Sequence, residues 1–341
     1  MNFAMWNKAL NVIPSVSREE WEDLDLVSKW LISTRAAVLI MTFISTVLAG
    51  LFAARDNAFH FLPWLVLAFG LVMAHAGNNL FNDYTDYVRG VDQNNYFRTM
   101  YGPQPLTHGL MTKRQHLAYF VITSLMGLAA GLFLIWYNNF DPVVWILLGL
   151  GAFFLLFYTW PLKYIALGEL AVLIVWGPLM IGGGYYVLTH HWDWNVVWAS
   201  LLYALGVTTV IFGKHIDKIQ TDRDKNIHTL PVLIGEKLAR QVVMGMMILP
   251  YFLLTYLVAI KYFTPLILIV LIAIPRLRQV LPAFTNSKPK TRPLNFPDGQ
   301  GGWPLYFAPL SFGYNRSFGT LFVLGLFVDV LIRILLPTFW H

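Results

Sequence analysis

Six amide and carboxylate side chains crowd the end of one apolar stretch. They are Asn78, Asn79, Asn82, Asp83, Asp86 and Asp92, in AGNNLFNDYTDYVRGVD, residues 76–92. Polar groups placed against a bilayer-depth segment are costly, which makes them functional candidates. At ~100° per residue, Asn79, Asn82, Asp83 and Asp86 fall on one helical face. Asn82 and Asp86 stand four residues apart and converge. Gly90 permits a turn through which Asp92 folds back towards the same point. A face of amide and carboxylate oxygens suits Mg²⁺, a hard cation that bridges readily to phosphates.

A second constellation is GKHIDKIQTDRDKNIHTLPVLIGE, residues 213–236, where Asp217, Asp222 and Asp224 stand among Lys214, Lys218, Arg223 and Lys225. Carboxylates for an ion and cations for remaining phosphate charge suit a metal bound together with a polyanion. Helical spacing leaves two faces open: His215, Lys218 and Asp222 on one, Asp217, Thr221 and Asp224 on the other. A third stretch, YTWPLKYIALGEL at residues 158–170, breaks at Pro161 and Gly168. Its only charge in the turn is Lys163, suited to a phosphate, with Tyr158 as a pocket wall and Glu169 at the start of the next apolar run. His108, in the turn-rich connector 101–115, reads as a surface histidine. The nine His show no metal-ligand spacing, so a zinc site is not expected.

The elements that must position these residues are membrane spans. The chain has 341 residues, 57% of them hydrophobic and 12% charged. A soluble chain would carry roughly twice that charge. The absence of Cys excludes disulfides and thiolate chemistry. A net charge of +6, scattered along the chain, does not suggest nucleic acid. Apolar stretches of spanning length lie near 36–54, 61–82, 117–137, 143–159, 165–188, 195–213, 241–260, 263–284 and 317–339. This predicts an all-α integral membrane protein with nine transmembrane helices. Residues 31–341 form a single membrane domain with an irregular loop at 285–316. Residues 1–30 precede it as a cytoplasmic or interfacial segment whose stretch SREEWEDLDLVSKW reads either as an amphipathic helix on the membrane or as a solvated lead-in to the first span. No signal peptide is expected there. Nearly all Lys and Arg fall in the N-terminal segment and in the loops on the same side of this layout, with only Arg55 and Lys261 opposite and Arg333 within the last span. That bias predicts a cytoplasmic N-terminus and puts both acidic clusters on the cytoplasmic face. One acidic loop follows the second span and another the sixth, as a two-part bundle with repeated halves would have.

The chain resembles the UbiA superfamily of intramembrane prenyltransferases, and within it the MenA-like dihydroxynaphthoate polyprenyltransferases. The resemblance rests on Asn82, Asp83, Asp86 and Asp92 spaced through Gly90, on Tyr158, Pro161, Lys163, Gly168 and Glu169, and on Asp222, Arg223, Thr229 and Leu230. It implies a nine-helix bundle with a central pocket opening to the cytoplasmic side. Two departures stand out. Lys218 occupies the place where the family usually has an Asp four residues before Asp222, the nearest acid being Asp217. Gln104-Pro105-Leu106 replaces the family's Arg-Pro-Leu.

The resemblance implies Mg²⁺-dependent transfer of a polyprenyl group from polyprenyl diphosphate to an aromatic acceptor, in the cell membrane. One Mg²⁺ is expected at Asn82, Asp83, Asp86 and Asp92, and a second at Asp222 with Asp217. Lys163, Lys218 and Arg223 are expected on the diphosphate and Tyr158 as a wall shielding an allylic cation. Asp86 and Asp222 are the expected catalytic carboxylates, with Asn79, Asp224, Glu169 and His215 around them. The rivals are a transferase of this family with a non-quinone acceptor (a phosphorylated sugar, a chlorophyll-type ring or a glycerol phosphate) and a membrane transporter. Transporter sites lie near the bilayer midplane on broken helices, whereas both clusters here end spans on one face.

Overall fold

The protein was analysed as a computed structural model, which describes residues 1–91, 104–293 and 303–336. These residues are helical throughout, apart from turns and one isolated bridge between Ile165 and His228. Three short helices lead in: α1 (Phe3–Asn11), α2 (Arg18–Asp23) and α3 (Leu26–Ser33). Then come α4 (Ala36–Arg55), α5 (Phe61–Val88), α6 (Lys113–Tyr137), α7 (Pro142–Phe157), α8 (Gly168–Thr189), α9 (Trp194–Asp217), the short α10 (Ile219–Asp224) and α11 (Leu230–Ile234), α12 (Glu236–Ala259), α13 (Pro265–Thr285) and α14 (Phe307–Leu335). Eight of these are long and apolar enough to cross a membrane: α4, α5, α6, α8, α9, α12, α13 and α14.

The ninth expected span is α7, with only 16 residues. At 1.5 Å per residue it reaches about 24 Å, short of the ~30 Å hydrocarbon core. Its limits are local. The Asp141 carboxylate accepts the Val143 N–H at 2.7 Å, Pro142 occupies the first turn, and the chain turns at Tyr158 into the cis Trp160–Pro161 bond. By contrast α5 has 28 residues and reaches about 42 Å, so its polar last turns stand clear of the apolar part. It stops where Gly90 takes φ +70° and Val91 donates back to the Asp86 carbonyl at 2.9 Å.

Helix α9 is the centre of the bundle: 72% of its apolar window is buried, the highest share of the eight. It packs against α8, α12 and α14. Lipid tails offer no hydrophobic drive for helices to associate, so close approach at small residues and interhelical hydrogen bonds hold such bundles. A Cβ on Gly319 of α14 would lie 2.6 Å from the Tyr203 ring of α9, and Tyr203 donates to the Met41 carbonyl of α4 at 3.1 Å. Within α8, residues Val175–Gly183 widen into a π-helix around Pro178. Such π turns are rare and recur at functional sites. Here Trp176, Met180 and Gly183 face a cavity.

Three expectations are corrected. The last span begins at Phe307, ten residues earlier than hydropathy places it, because Ser311, Tyr314, Asn315 and Arg316 dilute the apolar signal of its first turns. The loop expected at 285–316 is therefore shorter, and Arg316 lies on a helix. The N-terminal stretch is not one amphipathic helix. Asp25 caps α3 through the Val27 and Ser28 N–H groups and also accepts from Asn2 N and Trp6 Nε1. Trp21 and Leu24 bury against the bundle, and Trp30 Nε1 donates to Thr123 of α6 at 2.9 Å. Last, Asp217 is a helix cap. Its carboxylate accepts the N–H groups of Tyr306, Phe307 and Ala308 at 3.0–3.1 Å, satisfying donors that the first turn of α14 leaves without partners. Gly213, one turn earlier, lets that backbone approach, since a Cβ there would lie 2.8 Å from the Phe307 carbonyl carbon.

Replacing Asp217 by Ala leaves three N–H groups at a buried helix end unsatisfied. The expected cost is roughly 2–4 kcal/mol, read as a lowered thermal midpoint in detergent. Metal and substrate affinity of the folded fraction should be unchanged. A normal midpoint with lost metal affinity would contradict the capping role.

Candidate active site

The helices α4 to α9 and α14 enclose a central cavity of about 1020 Å³. Its deep part is apolar, lined by Leu67, Leu134, Val144, Leu148, Val172, Met180 and Val207. Its other end carries Asn78, Asn79, Asn82, Asp86, Tyr158, Lys163, His215, Lys218 and Asp222. The two acidic motifs, about 130 residues apart in sequence, therefore reach one space.

Asp86 is the centre of the first half. Its carboxylate accepts from Lys163 Nζ at 3.0 and 3.2 Å, with Asp86 2% and Lys163 8% exposed. Lys163 sits in the 3₁₀ turn Leu162–Tyr164, fixed by Lys163 N–H bonding to the Tyr158 carbonyl at 3.0 Å. Arg89, just past the end of α5, lies over the Trp160 ring at 4.6 Å and holds this turn against the helix. Burial, reinforced by the Asp86 charge, pushes the Tyr164 phenol up to about 12, so it stays neutral. Asn82 lines the same wall and donates to Thr159 Oγ1 at 3.1 Å, while Asn79 donates to the Thr34 carbonyl at 2.9 Å.

Asp83 does not join them. It is placed at the flank of the Asn79–Asn82–Asp86 face and pairs with Arg35, which precedes α4. Asp83 therefore anchors Arg35, itself part of the cavity wall. Asp92 lies outside the described residues.

The second half resolves the choice between faces. His215, Lys218 and Asp222 line the cavity. Asp217 caps α14, and Asp224 is exposed and accepts from Gln220 at 2.9 Å. Neither Asp217 nor Asp224 is among the cavity-lining residues. Arg223 is exposed and is not among the cavity-lining residues. Glu169 accepts from His215 Nδ1 at 2.6 Å, both buried, so it orients the imidazole from behind. Lys218 Nζ stands 3.3 Å from the Asp222 carboxylate. Lys225 donates to the Val91 carbonyl, tying this loop to the end of α5.

The donors test the fit of Mg²⁺. Asn82 and Asp86 offer oxygen ligands on one wall. Mg²⁺ keeps several waters and takes one or two carboxylates with substrate phosphates, which is what this wall provides. The second half offers one carboxylate of its motif, Asp222, among the described cavity-lining residues. An ion at either carboxylate meets an ammonium, Lys163 beside Asp86 and Lys218 beside Asp222. Unit like charges 4 Å apart repel by roughly 4 kcal/mol at an effective dielectric near 20, and a divalent ion doubles that. Among the described residues, no group of three acidic or His side chains is placed to hold a metal.

Arg35, Arg316, Lys8 and residues 11–15 also line the cavity and escaped the sequence reading of the site. Lys214, read in the sequence among the cations of the second constellation, lines it as well, four residues before Lys218. Arg316 had no signal, because hydropathy placed it outside the helix.

The chain matches the family model described as UbiA prenyltransferase family over residues 43–294. The UbiA prenyltransferase domain-containing protein 1 homolog of Drosophila melanogaster is 25% identical over 265 residues, covering 76% of this chain and 72% of that one. The 1,4-dihydroxy-2-naphthoate octaprenyltransferase of Escherichia coli (strain K12) is 28% identical over 232 residues, covering 64% and 73%. In structure, the UbiA homolog from Archaeoglobus fulgidus bound to GPP and Mg²⁺ superposes with a TM-score of 0.60 at 15% identity, over 89% of this chain and 99% of that one.

Replacing Lys163 by Met removes one partner of a buried ion pair and takes that counter-charge from Asp86. A loss of about 3 kcal/mol in stability is expected, seen in denaturant or thermal melts. Replacing Asp86 and Lys163 together, by Asn and Met, should recover most of that loss. A double variant as unstable as the sum of the single changes would show that the two groups are not coupled.

Proposed function

The chain belongs to the UbiA prenyltransferase family, and on that premise we propose that it transfers a polyprenyl group from polyprenyl diphosphate to an aromatic acceptor of the quinone-precursor type. Diphosphate is the second product and Mg²⁺ the cofactor. The family makes the chain a prenyltransferase and a multi-pass integral membrane protein. The observation that carries the finer reading is the shared cavity, with both acidic motifs and their lysines at one end and an apolar hollow beyond them. The naming of a relative as a naphthoate octaprenyltransferase supports the aromatic acceptor. A structural neighbour bound to GPP and Mg²⁺ supports the donor and cofactor.

The residues divide the work. Asn82 and Asp86 would hold Mg²⁺, which neutralises diphosphate charge and makes it a better leaving group. Lys163 and Lys218 supply charge-assisted hydrogen bonds to the phosphate oxygens. The isoprenoid tail occupies the apolar hollow, whose walls exclude water from the allylic carbon. Heterolysis breaks the bond between C1 and oxygen and leaves the electron pair on diphosphate. Tyr158 and the apolar walls shield the allylic cation, the ring face favouring positive charge. The acceptor ring supplies the pair for the new carbon–carbon bond. The proton lost from that ring carbon passes to a nearby carboxylate, Asp86 or Asp222.

The reading places residues 31–341 in one transferase domain and residues 1–30 in a segment docked on it. It puts the N-terminus and the polar end of the cavity on the cytoplasmic side of the cell membrane. The excess of Lys and Arg at that end supports this orientation.

The test is an assay of purified protein in detergent with labelled polyprenyl diphosphate, Mg²⁺ and a panel of aromatic and non-aromatic acceptors. Diphosphate release that needs both Mg²⁺ and an aromatic acceptor is expected, and EDTA should stop it. Asp86→Ala should lower turnover by roughly 10²–10³ or more in a protein that still melts cooperatively. No release with any acceptor, together with substrate flux in liposomes, would overturn the enzyme reading in favour of transport.

A further inference from the structure

We propose that Lys218, with Lys214 and Arg316 on the same cavity, takes the place of a second divalent ion, so that this protein holds its diphosphate with one Mg²⁺ rather than two. The inference rests on the prenyltransferase reading above and concerns how that site is charged. Four observations lead to it. Lys218 puts a cation, not a carboxylate, four residues before Asp222 and on the cavity. The adjacent acid that could compensate, Asp217, is committed to the backbone of α14 through the N–H groups of Tyr306, Phe307 and Ala308. Asp222, the remaining acid of the second motif on the cavity, already has the Lys218 ammonium 3.3 Å away, with both side chains buried. And the cations Lys214, Lys218 and Arg316 all line the cavity that Asp222 also lines.

The geometry makes chemical sense of the exchange. Lys214 and Lys218 are four residues apart, the spacing that brings side chains to one helical face. An ammonium is a compact point charge with three donors, well matched to phosphate oxygens. The Asp222 carboxylate then has a changed task. It holds Lys218 in place and keeps it charged, where in a two-ion site it would bind metal directly. The first half keeps its oxygen ligands, Asn82 and Asp86, and so keeps its ion. Positive charge at the leaving group is conserved in kind while its source is split between one metal and fixed side chains. A fixed cation is present at all metal concentrations, so the protein should respond to Mg²⁺ with a simple single-site dependence.

Counting ions tests this directly. The full-length protein in detergent is titrated with Mn²⁺, followed by electron paramagnetic resonance, with a prenyl S-thiolodiphosphate that is not cleaved. One tightly held Mn²⁺ per chain is expected, and two would overturn the inference. Lys218→Met should weaken the analogue about tenfold to a hundredfold, the loss of one charge-assisted hydrogen bond, while the count stays at one. Unchanged analogue affinity in that variant would overturn it as well. Lys218→Asp should admit a second Mn²⁺ and turn the Mg²⁺ dependence of turnover from first to second order. If that variant does not fold, the wild-type count and Lys218→Met still decide the matter. No bound Mn²⁺ in the presence of the analogue would overturn the proposed function together with this inference, whereas two bound ions would leave the proposed function standing.

Discussion

The ion pair between Asp86 and Lys163 joins the two parts of the molecule that the cavity needs at a fixed distance. Asp86 ends a 28-residue helix and Lys163 sits in a three-residue turn between two others. With the pair at 3.0 Å and almost fully buried, the loss of either charge is costly. Around this contact the other ties arrange themselves. Arg89 stacks on Trp160, Asn82 donates to Thr159, and Lys225 reaches the end of α5. The pair is also the natural place for an anionic ligand to enter. A diphosphate with its counter-ion can satisfy the ammonium and the carboxylate separately, so binding replaces a protein contact without leaving a bare charge.

The same logic explains the opposite fate of neighbouring acids. Asp83 and Asp217 carry the same chemistry as Asp86 and Asp222, yet each is tied into the framework. Asp83 anchors Arg35, and Asp217 closes the N-terminus of α14. In a bundle where lipid gives helices no reason to associate, these polar contacts do the work of a hydrophobic core. Carboxylates at the membrane end therefore divide into those that hold helices and those that face the cavity. Residue type alone does not sort them.

That division sets how much of the site was legible. The face of Asn79, Asn82 and Asp86 follows from a three- and four-residue spacing on one uninterrupted helix, and Gly90 marks its end. The choice between the Asp217 and Asp222 faces does not follow, because it is made by a segment about ninety residues later, when the backbone at Phe307 docks on Gly213. The start of α14 was hidden for a related reason. Ser311, Asn315 and Arg316 are polar because they face helices and the cavity, and an average over apolar character reads that as a loop. The N-terminal segment was amphipathic as read, but its apolar side found protein instead of lipid: Trp21 is 4% exposed. The spans themselves were visible because length and apolarity suffice to define them, except α7, whose 16 residues make it the borderline case.

To receive a metal-bound diphosphate, Asp86 and Lys163 must part. A structure of the protein with Mn²⁺ and a non-cleavable prenyl diphosphate, with the ion located by its anomalous scattering, decides whether they do. A single anomalous peak in contact with Asn82 and Asp86 is expected, with Lys163 Nζ moved from the carboxylate onto a phosphate oxygen. An ion seated at Asp222 instead, or a ligand bound with the Asp86–Lys163 pair still closed, would contradict it.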